Sequence, residues 1–225
     1  MTKQTSQTGY KAELYRQFAR VGRAVSSPRR LEILDLLSQG ERTVERLASE
    51  IGTTMSNISQ HLHALREAGL VESRKEGLFV HYSLAGENVA EFWRAMRTLA
   101  VDLSAEAREL IHSFINERDS FETVEHSELL KRVESGRAIV IDVRPLHEYD
   151  AGHIRGAISI PLDELPKRLG EIPGELEVVA YCRGPYCLLS VEAVELLRKQ
   201  GLHAARLVDG FPEWRAAGFP ITKAD

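Results

Sequence analysis

The chain has 225 residues, 43% hydrophobic and 28% charged, with only 16 Gly and 8 Pro; this fits two domains of ~100–120 residues and excludes disordered, collagen-like and low-complexity chains. Its net charge of −4 argues against a general nucleic-acid binder, yet residues 1–118 carry +1, with +3 in the first 85, and the remainder carries −5. No apolar run reaches the ~18 residues of a membrane span, residues 1–11 lack the apolar stretch of a secretory leader, and Cys182 and Cys187 are too few to staple the chain, so a cytoplasmic protein with thiols kept for chemistry is expected.

Residues 10–25 carry Leu14, Phe18, Val21 and Val25 at three- and four-residue steps, the period of an amphipathic helix. Ser27-Pro28 opens a second helix, Ser as N-cap and Pro at the first position, with Leu31, Leu34 and Leu37 as its apolar stripe and Gly40 as its stop. Thr43 starts a short helix with Val44, Leu47, Ala48 and Ile51, ended by Gly52. Thr54 starts another, with Ile58, Leu62 and Leu65 inward and Gly69 at its end. Residues 71–74 and 78–84 alternate as two strands around Lys75-Glu76-Gly77. Residues 89–115 return to helical period, rich in Phe92, Trp93, Met96, Leu99, Leu103, Leu110, Ile111 and Phe114.

Residues 116–125 have no apolar period and read as a linker between a first domain, 1–115, and a second, 126–225. In the second, strands and helices alternate: helix 127–133, strand 138–141, strand 178–181, helix 188–199 and strand 206–208. That rhythm implies an α/β domain with a mainly parallel sheet.

Two short helices joined at a Gly turn, then a hairpin, describe a mainly α winged helix-turn-helix with a β-hairpin wing. At ~100° per residue, Leu62 and Leu65 share the side of Ile58, while Ser56, Gln60 and His63 fall opposite, flanked by Asn57 and Ser59. Short polar side chains at the start of such a helix can hydrogen-bond base edges in a major groove. Arg74, Lys75 and His81 fall on the hairpin, where a wing meets phosphates or the minor groove. The helix alone would read as a solvated face; the ordered succession favours double-stranded DNA as partner.

The runs Arg29-Arg30-Leu31-Glu32-Ile33-Leu34, Leu47-Ala48 and Ser59-Gln60-His61-Leu62-His63-Ala64-Leu65-Arg66-Glu67-Ala68-Gly69-Leu70-Val71 resemble the ArsR/SmtB family of bacterial regulators, over about residues 12–100. The resemblance implies a homodimer built from the first and last helices and repression of its own operon. Many members sense metals through a Cys-x-Cys pair where this chain has Thr43-Val44-Glu45. Asp102, Glu106, Glu109 and His112 share a helical face but read more simply as solvated charge, so no metal and no cofactor are expected.

In the second domain, Ile141-Asp142-Val143-Arg144-Pro145-Leu146-His147-Glu148-Tyr149-Asp150-Ala151-Gly152-His153-Ile154-Arg155-Gly156-Ala157 and Val208-Asp209-Gly210-Phe211-Pro212-Glu213-Trp214-Arg215-Ala216-Ala217-Gly218-Phe219-Pro220-Ile221 resemble the two signatures that bracket rhodanese domains. Between them, Cys182 follows a buried strand, and Arg183-Gly184-Pro185-Tyr186-Cys187 leads into the helix beginning near Leu188. A strand-to-helix loop directs backbone N–H groups and the positive helix end at its centre, which favours a thiolate and an anionic persulfide. Arg183 is expected to lower the pKa of Cys182 further or to receive an anion such as thiosulfate; the resemblance implies Cys182 as a sulfur-accepting nucleophile, and Gly184, Pro185, Tyr186 and Leu188 are the candidate substrate loop. Cys187 reads equally as a thiol that resolves a Cys182 persulfide or as a first-turn helix residue. Asp142, Arg144 and Glu148 are expected to form structural pairs near the loop, and His153 to belong to the core or to support the site. Rhodaneses commonly place Ser or Thr six residues after the nucleophile, and related phosphatases and arsenate reductases place Arg there; here that position is Leu188, with Ser190 two residues beyond.

These readings converge on a transcription regulator whose rhodanese domain takes sulfane sulfur from thiosulfate, polysulfide or a low-molecular-weight persulfide, with a sulfurtransferase under its own DNA-binding module as the alternative and, behind both, a metal-responsive regulator with a degenerate rhodanese appendage, which the absence of the Cys-x-Cys pair disfavours. A modified loop that repacks against the dimer helix would carry the signal.

Overall fold

The computed structural model describes residues 7–116 and 123–223, and the chain divides into two compact units, 1–95 and 96–225. None of the described helices is long and apolar enough to cross a membrane.

The first unit runs through α1 (Gln7–Ala24), α2 (Pro28–Gln39), β1 (Arg42–Thr43), α3 (Val44–Ile51), α4 (Met55–Glu67), β2 (Val71–Glu76), β3 (Phe79–Leu84) and the start of α5 (Glu87–Leu103). Local capping sets the helix-turn-helix. Thr43 and Thr54, both extended, accept from the backbone N–H of Arg46 and Asn57, each at 3.3 Å, and Gly52 turns α3 into α4 at φ 70°. Ile58, Leu62 and Leu65 of α4 are fully buried in one core with Ile33, Leu34, Leu37 and Leu47. Burial of each such side chain contributes ~1.5–3 kcal/mol, which fixes the rotation of α4 and leaves its polar side outward.

Several details differ from the sequence reading. Lys75 and Glu76 belong to β2, opposite Val80 and Phe79, so Gly77-Leu78 makes a two-residue turn, with φ 58° at Gly77. Strand β1 pairs antiparallel with β3 and gives a sheet of order β1-β3-β2; two residues carry no readable alternation. The buried side of α2 is Ile33, Leu34, Leu36 and Leu37, and Leu31 is only half-buried, because α3, α4 and β3 all press on this helix. Phe18 is exposed, as are Tyr10 and Tyr15; of the α1 stripe, Val21 and Val25 reach the core.

The helix expected over 89–115 is broken. Helix α5 ends at Leu103, and extended Ser104 accepts from Ala107 N–H at 3.0 Å to start α6 (Ala105–Ile111), followed by a π-helical turn, His112–Asn116. Asp102 is thereby on a different helix from Glu106 and Glu109.

The second unit continues through β4 (Thr123–Val124), α7 (His126–Glu134), β5 (Ala138–Asp142), α8 (Leu146–Ala151), β6 (His153–Ile154), β7 (Ile158–Ser159), α9 (Leu165–Arg168), β8 (Glu177–Tyr181), α10 (Leu188–Lys199), β9 (Ala204–Leu207), α11 (Phe211–Ala216) and β10 (Ile221–Thr222). Strand β4 lies inside the stretch read as a linker, whose residues 117–122 lie outside the described ones. Five strands form a parallel sheet of order β4-β9-β8-β5-β7, and β6 pairs antiparallel with β10. Strand β8 is buried throughout. Its side chains alternate between two cores, Val179 and Tyr181 with Trp214, Phe211 and Leu129, Val178 and Ala180 with Val194 and Leu197.

Candidate functional site

Cys182 follows β8 directly and continues its alternation into the core shared with α10. It is 1% exposed. The five residues after it turn back, closed by Cys187 N–H on Gly184 O at 3.2 Å, and α10 starts one residue beyond Cys187. Leu188 is thus the first helical residue rather than part of the loop, and Ser190, buried, donates to Cys187 O at 3.2 Å. Cys182 and Cys187 are joined by a disulfide, with Cα atoms 6.3 Å apart. The first turn of α10, whose backbone N–H groups have no acceptor within their own helix, begins at this bridge.

Two further segments hold the loop. Phe211 N–H donates to Cys182 O at 3.0 Å, and Gly210 presses on the backbone of Arg183 and Gly184 so closely that a Cβ there would overlap both. Gly210 has φ −115°, open to any residue, so the glycine is there for space. On another side, the Arg97 guanidinium of α5 lies 5.6 Å from the Tyr186 ring centroid, pairs with Glu213, and sits 3.1 Å from where a Gly184 side chain would begin.

Arg183 does not stand open to the loop centre. Its Nε and Nη2 grip the buried carboxylate of Glu148 on α8 at 2.9 and 2.6 Å, a bidentate pair that anchors the loop. Asp142 and Arg144 form a second pair, fully buried, with Nη2 to Oδ2 at 2.6 Å and Nη2 also reaching Gly152 O at 2.8 Å. Burial alone would lower the Arg144 pKa; the Asp142 carboxylate outweighs it and the value rises. Burial, with Asp142 alongside, pushes the Tyr181 hydroxyl well above its ordinary value, and Tyr181 donates to that carboxylate. His153 is buried, stacked on Tyr149 with its Nδ1 2.9 Å from Tyr149 O. Asp209, beside Gly210, has its carboxyl raised by burial and by Glu213, with His126 3.6 Å away in partial compensation.

In the first unit, Ser56, Ser59, Gln60 and His63 are exposed on α4, and Asn57 is half-buried. Ser59 donates to Met55 O at 2.8 Å, and His63 lies 3.4 Å from Glu67. Arg74 and His81 face each other across β2 and β3. Arg74 is engaged by Glu76 at 2.6 Å and Glu41 at 2.7 Å, and His81 lies 3.5 Å from Glu41; Lys75 is exposed. Arg74 can reach a phosphate only by exchanging carboxylates for it.

Sequence reasoning missed Arg97, Gly210, Asp209 and Glu213 as neighbours of the loop. The last three lie in the second rhodanese-like signature, which marks the segment without assigning roles; Arg97 carries no local signal.

Residues 27–73 match the model of bacterial regulatory proteins of the arsR family, and residues 125–217 match that of rhodanese-like domains. The HTH-type transcriptional regulator Rv0324 of Mycobacterium tuberculosis is 44% identical over 219 residues, 96% of this chain and 94% of that protein. The HTH-type transcriptional regulator CmtR of Mycobacterium tuberculosis is 44% identical over 72 residues, 32% of this chain and 61% of its own. Among solved structures, the homodimeric winged helix-turn-helix DNA-binding domain of Mb0332 from Mycobacterium bovis is similar at 44% identity and TM-score 0.41, covering 46% of this chain and 94% of that one.

Proposed function

This chain belongs to the arsR family of bacterial regulatory proteins and carries a rhodanese-like domain, and from that premise we propose that Cys182 accepts sulfane sulfur to modulate operator binding. The observation that carries the proposal is the pairing of Cys182 with Cys187 inside the strand-to-helix loop of the rhodanese-like domain.

The chemistry proceeds in two steps. The Cys182 thiolate attacks the outer sulfur of thiosulfate, the S–S bond breaks, and sulfite leaves with the electron pair, giving a Cys182 persulfide; with a persulfide donor the leaving group is a thiolate. Cys187, deprotonated, then attacks the Cys182 sulfur, and hydrogen sulfide departs as the intramolecular disulfide forms. A low-molecular-weight thiol, used twice, restores both thiols and carries away the oxidising equivalents as its own disulfide. Glu148 holds Arg183, so the stabilising charge for a persulfide falls to the start of α10.

On the DNA side, α4 presents Ser56, Asn57, Ser59, Gln60 and His63 to a major groove, with Arg74, Lys75 and His81 on the wing. The reading is a repressor acting as a homodimer in the cytoplasm. Tyr15 and Phe18 on α1, and Leu99 and Leu103 on α5, are apolar and more than half exposed, which a second copy of the chain would cover.

The test is intact-mass spectrometry of wild type, Cys182→Ser and Cys187→Ser after polysulfide or thiosulfate treatment. Binding to a duplex from the protein's own upstream region is followed in parallel at one salt concentration. Wild type is expected to lose two hydrogens, Cys187→Ser to keep one added sulfur, and Cys182→Ser to do neither, with operator affinity changed only in the first two. Loading without a change in affinity, with thiosulfate consumed catalytically when cyanide is the acceptor, would establish the sulfurtransferase reading instead.

A further inference from the structure

Within unit 96–225, Arg97 lies against the loop enclosed by the Cys182–Cys187 bridge, over Tyr186 and beside Gly184. Its guanidinium sits over the Tyr186 ring at 5.6 Å, and its Nη1 occupies the space beside Gly184 that a side chain there would enter, 3.1 Å from where a Cβ would stand. The same guanidinium pairs with Glu213, whose other oxygen accepts from Gly210 N–H at 3.2 Å, and Gly210 is the residue on which the loop backbone rests. Arg97 and Glu213 are 16% and 15% exposed as side chains, so this pair is shielded enough to be worth more than a surface pair.

Arg97 also belongs to α5, one continuous helix. One turn earlier, Trp93 is buried, and its Nε1–H donates to Asp35 of α2 at 3.0 Å, within the first unit. In an α-helix the N–H of each residue bonds the carbonyl four residues earlier, so Trp93 and Arg97 stand on successive turns of one ladder.

We propose that Arg97 is the positioning residue through which α5 reads the state of the Cys182–Cys187 loop. This rests on the sulfur-responsive reading above and adds its route. With the bridge closed, Gly184 and Tyr186 are held in a short ring and Arg97 has a fixed seat between Tyr186 and Glu213. When two equivalents of a thiol open the bridge, residues 183–186 lose that restraint, the seat changes, and α5 receives the change at Arg97. The contact requires a planar fork that can stack on an aromatic ring while bonding a carboxylate, so lysine is a poor substitute.

The experiment prepares wild type, Arg97→Gln and Arg97→Lys in fully reduced and fully bridged forms, verified by intact mass, so that reaction rates do not enter. Affinity for the upstream duplex and for an unrelated duplex is measured at fixed salt. Wild type is expected to show an operator-affinity ratio between the two forms on the order of five- to a hundredfold, and both variants a ratio near one. A wild-type ratio retained in Arg97→Gln overturns the role of Arg97 while leaving the sulfur-responsive reading intact. A wild-type ratio of one overturns that reading and the role with it. Should Arg97→Gln fail to fold, hydrogen exchange on wild type decides: residues 96–103 are expected to change protection between the two forms, and unchanged protection there overturns the proposal.

Discussion

At the scale of single residues, the loop is held by absences as much as by contacts. Gly210 needs no unusual dihedral; it needs the volume that a methyl would take from Arg183 and Gly184. Gly210→Ala is therefore expected to cost ~1–3 kcal/mol, measured by denaturant unfolding, and to slow bridge closure. Wild-type stability and closure in that variant would remove the cradle from the account. Asp209 gives a pH-dependent effect. Burial and Glu213 raise its folded pKa above the unfolded value near 3.8, so the folded state favours the proton. Its stabilising contribution is present below that unfolded value and is lost as pH rises through the folded pKa. Asp209→Asn is expected to raise thermal stability at neutral pH, by under about 1 kcal/mol because His126 offsets part of the penalty, and to converge with wild type below about pH 4. The place of Cys182 at a strand end could be read from sequence because a cysteine ending the apolar run Val178-Val179-Ala180-Tyr181 falls at the carboxyl end of a strand in an α/β sheet. Arg97 could not: it stands 85 residues before the loop it touches, with no pattern linking them.

At the scale of elements, capping residues and apolar periods were the most readable features. Thr43, Gly52 and Thr54 delimit α3 and α4 as their chemistry dictates, and Ile58, Leu62 and Leu65 fix which side of α4 faces out. Elements of two residues, β1, β4, β6, β7 and β10, were invisible because they exist only through their partners across the sheet. The break at Ser104 was missed because the apolar period continues past it while one hydroxyl diverts the backbone. The exposed side of α4 leads to a prediction at this scale. Gln60→Ala is expected to weaken specific operator binding by ~1–3 kcal/mol and to leave unrelated DNA nearly unaffected. Arg74→Ala is expected to weaken both alike and to lower the salt slope by about one, with a small effect because Arg74 must first leave Glu76 and Glu41. Binding titrations at several salt concentrations separate the two outcomes.

At the scale of the molecule, a charge asymmetry divides the chain. The first 85 residues carry +3 and those after 118 carry −5, so an approaching duplex is drawn to the first unit and repelled by the second. The same asymmetry, together with the change from helical period to strand-helix alternation, made the two-part organisation legible without coordinates. The division itself falls at residue 95, inside α5, where no change of composition marks it. Helix α5 contributes Val89, Ala90 and Trp93 to one unit and Arg97 to the other, and sequence period cannot show which neighbour a helical residue serves.

The bridge between Cys182 and Cys187 closes within a single loop, five residues apart. In the two-step reaction proposed above, its closing step, attack of Cys187 on the Cys182 persulfide, is first-order in each copy and indifferent to how many copies a cell holds. A regulator kept at a handful of molecules would thus respond as completely, and as fast, as one kept at thousands. On that proposal each closed copy stays closed until a reductant visits it, so the population at any instant reflects exposure to the donor over the lifetime of the bridge.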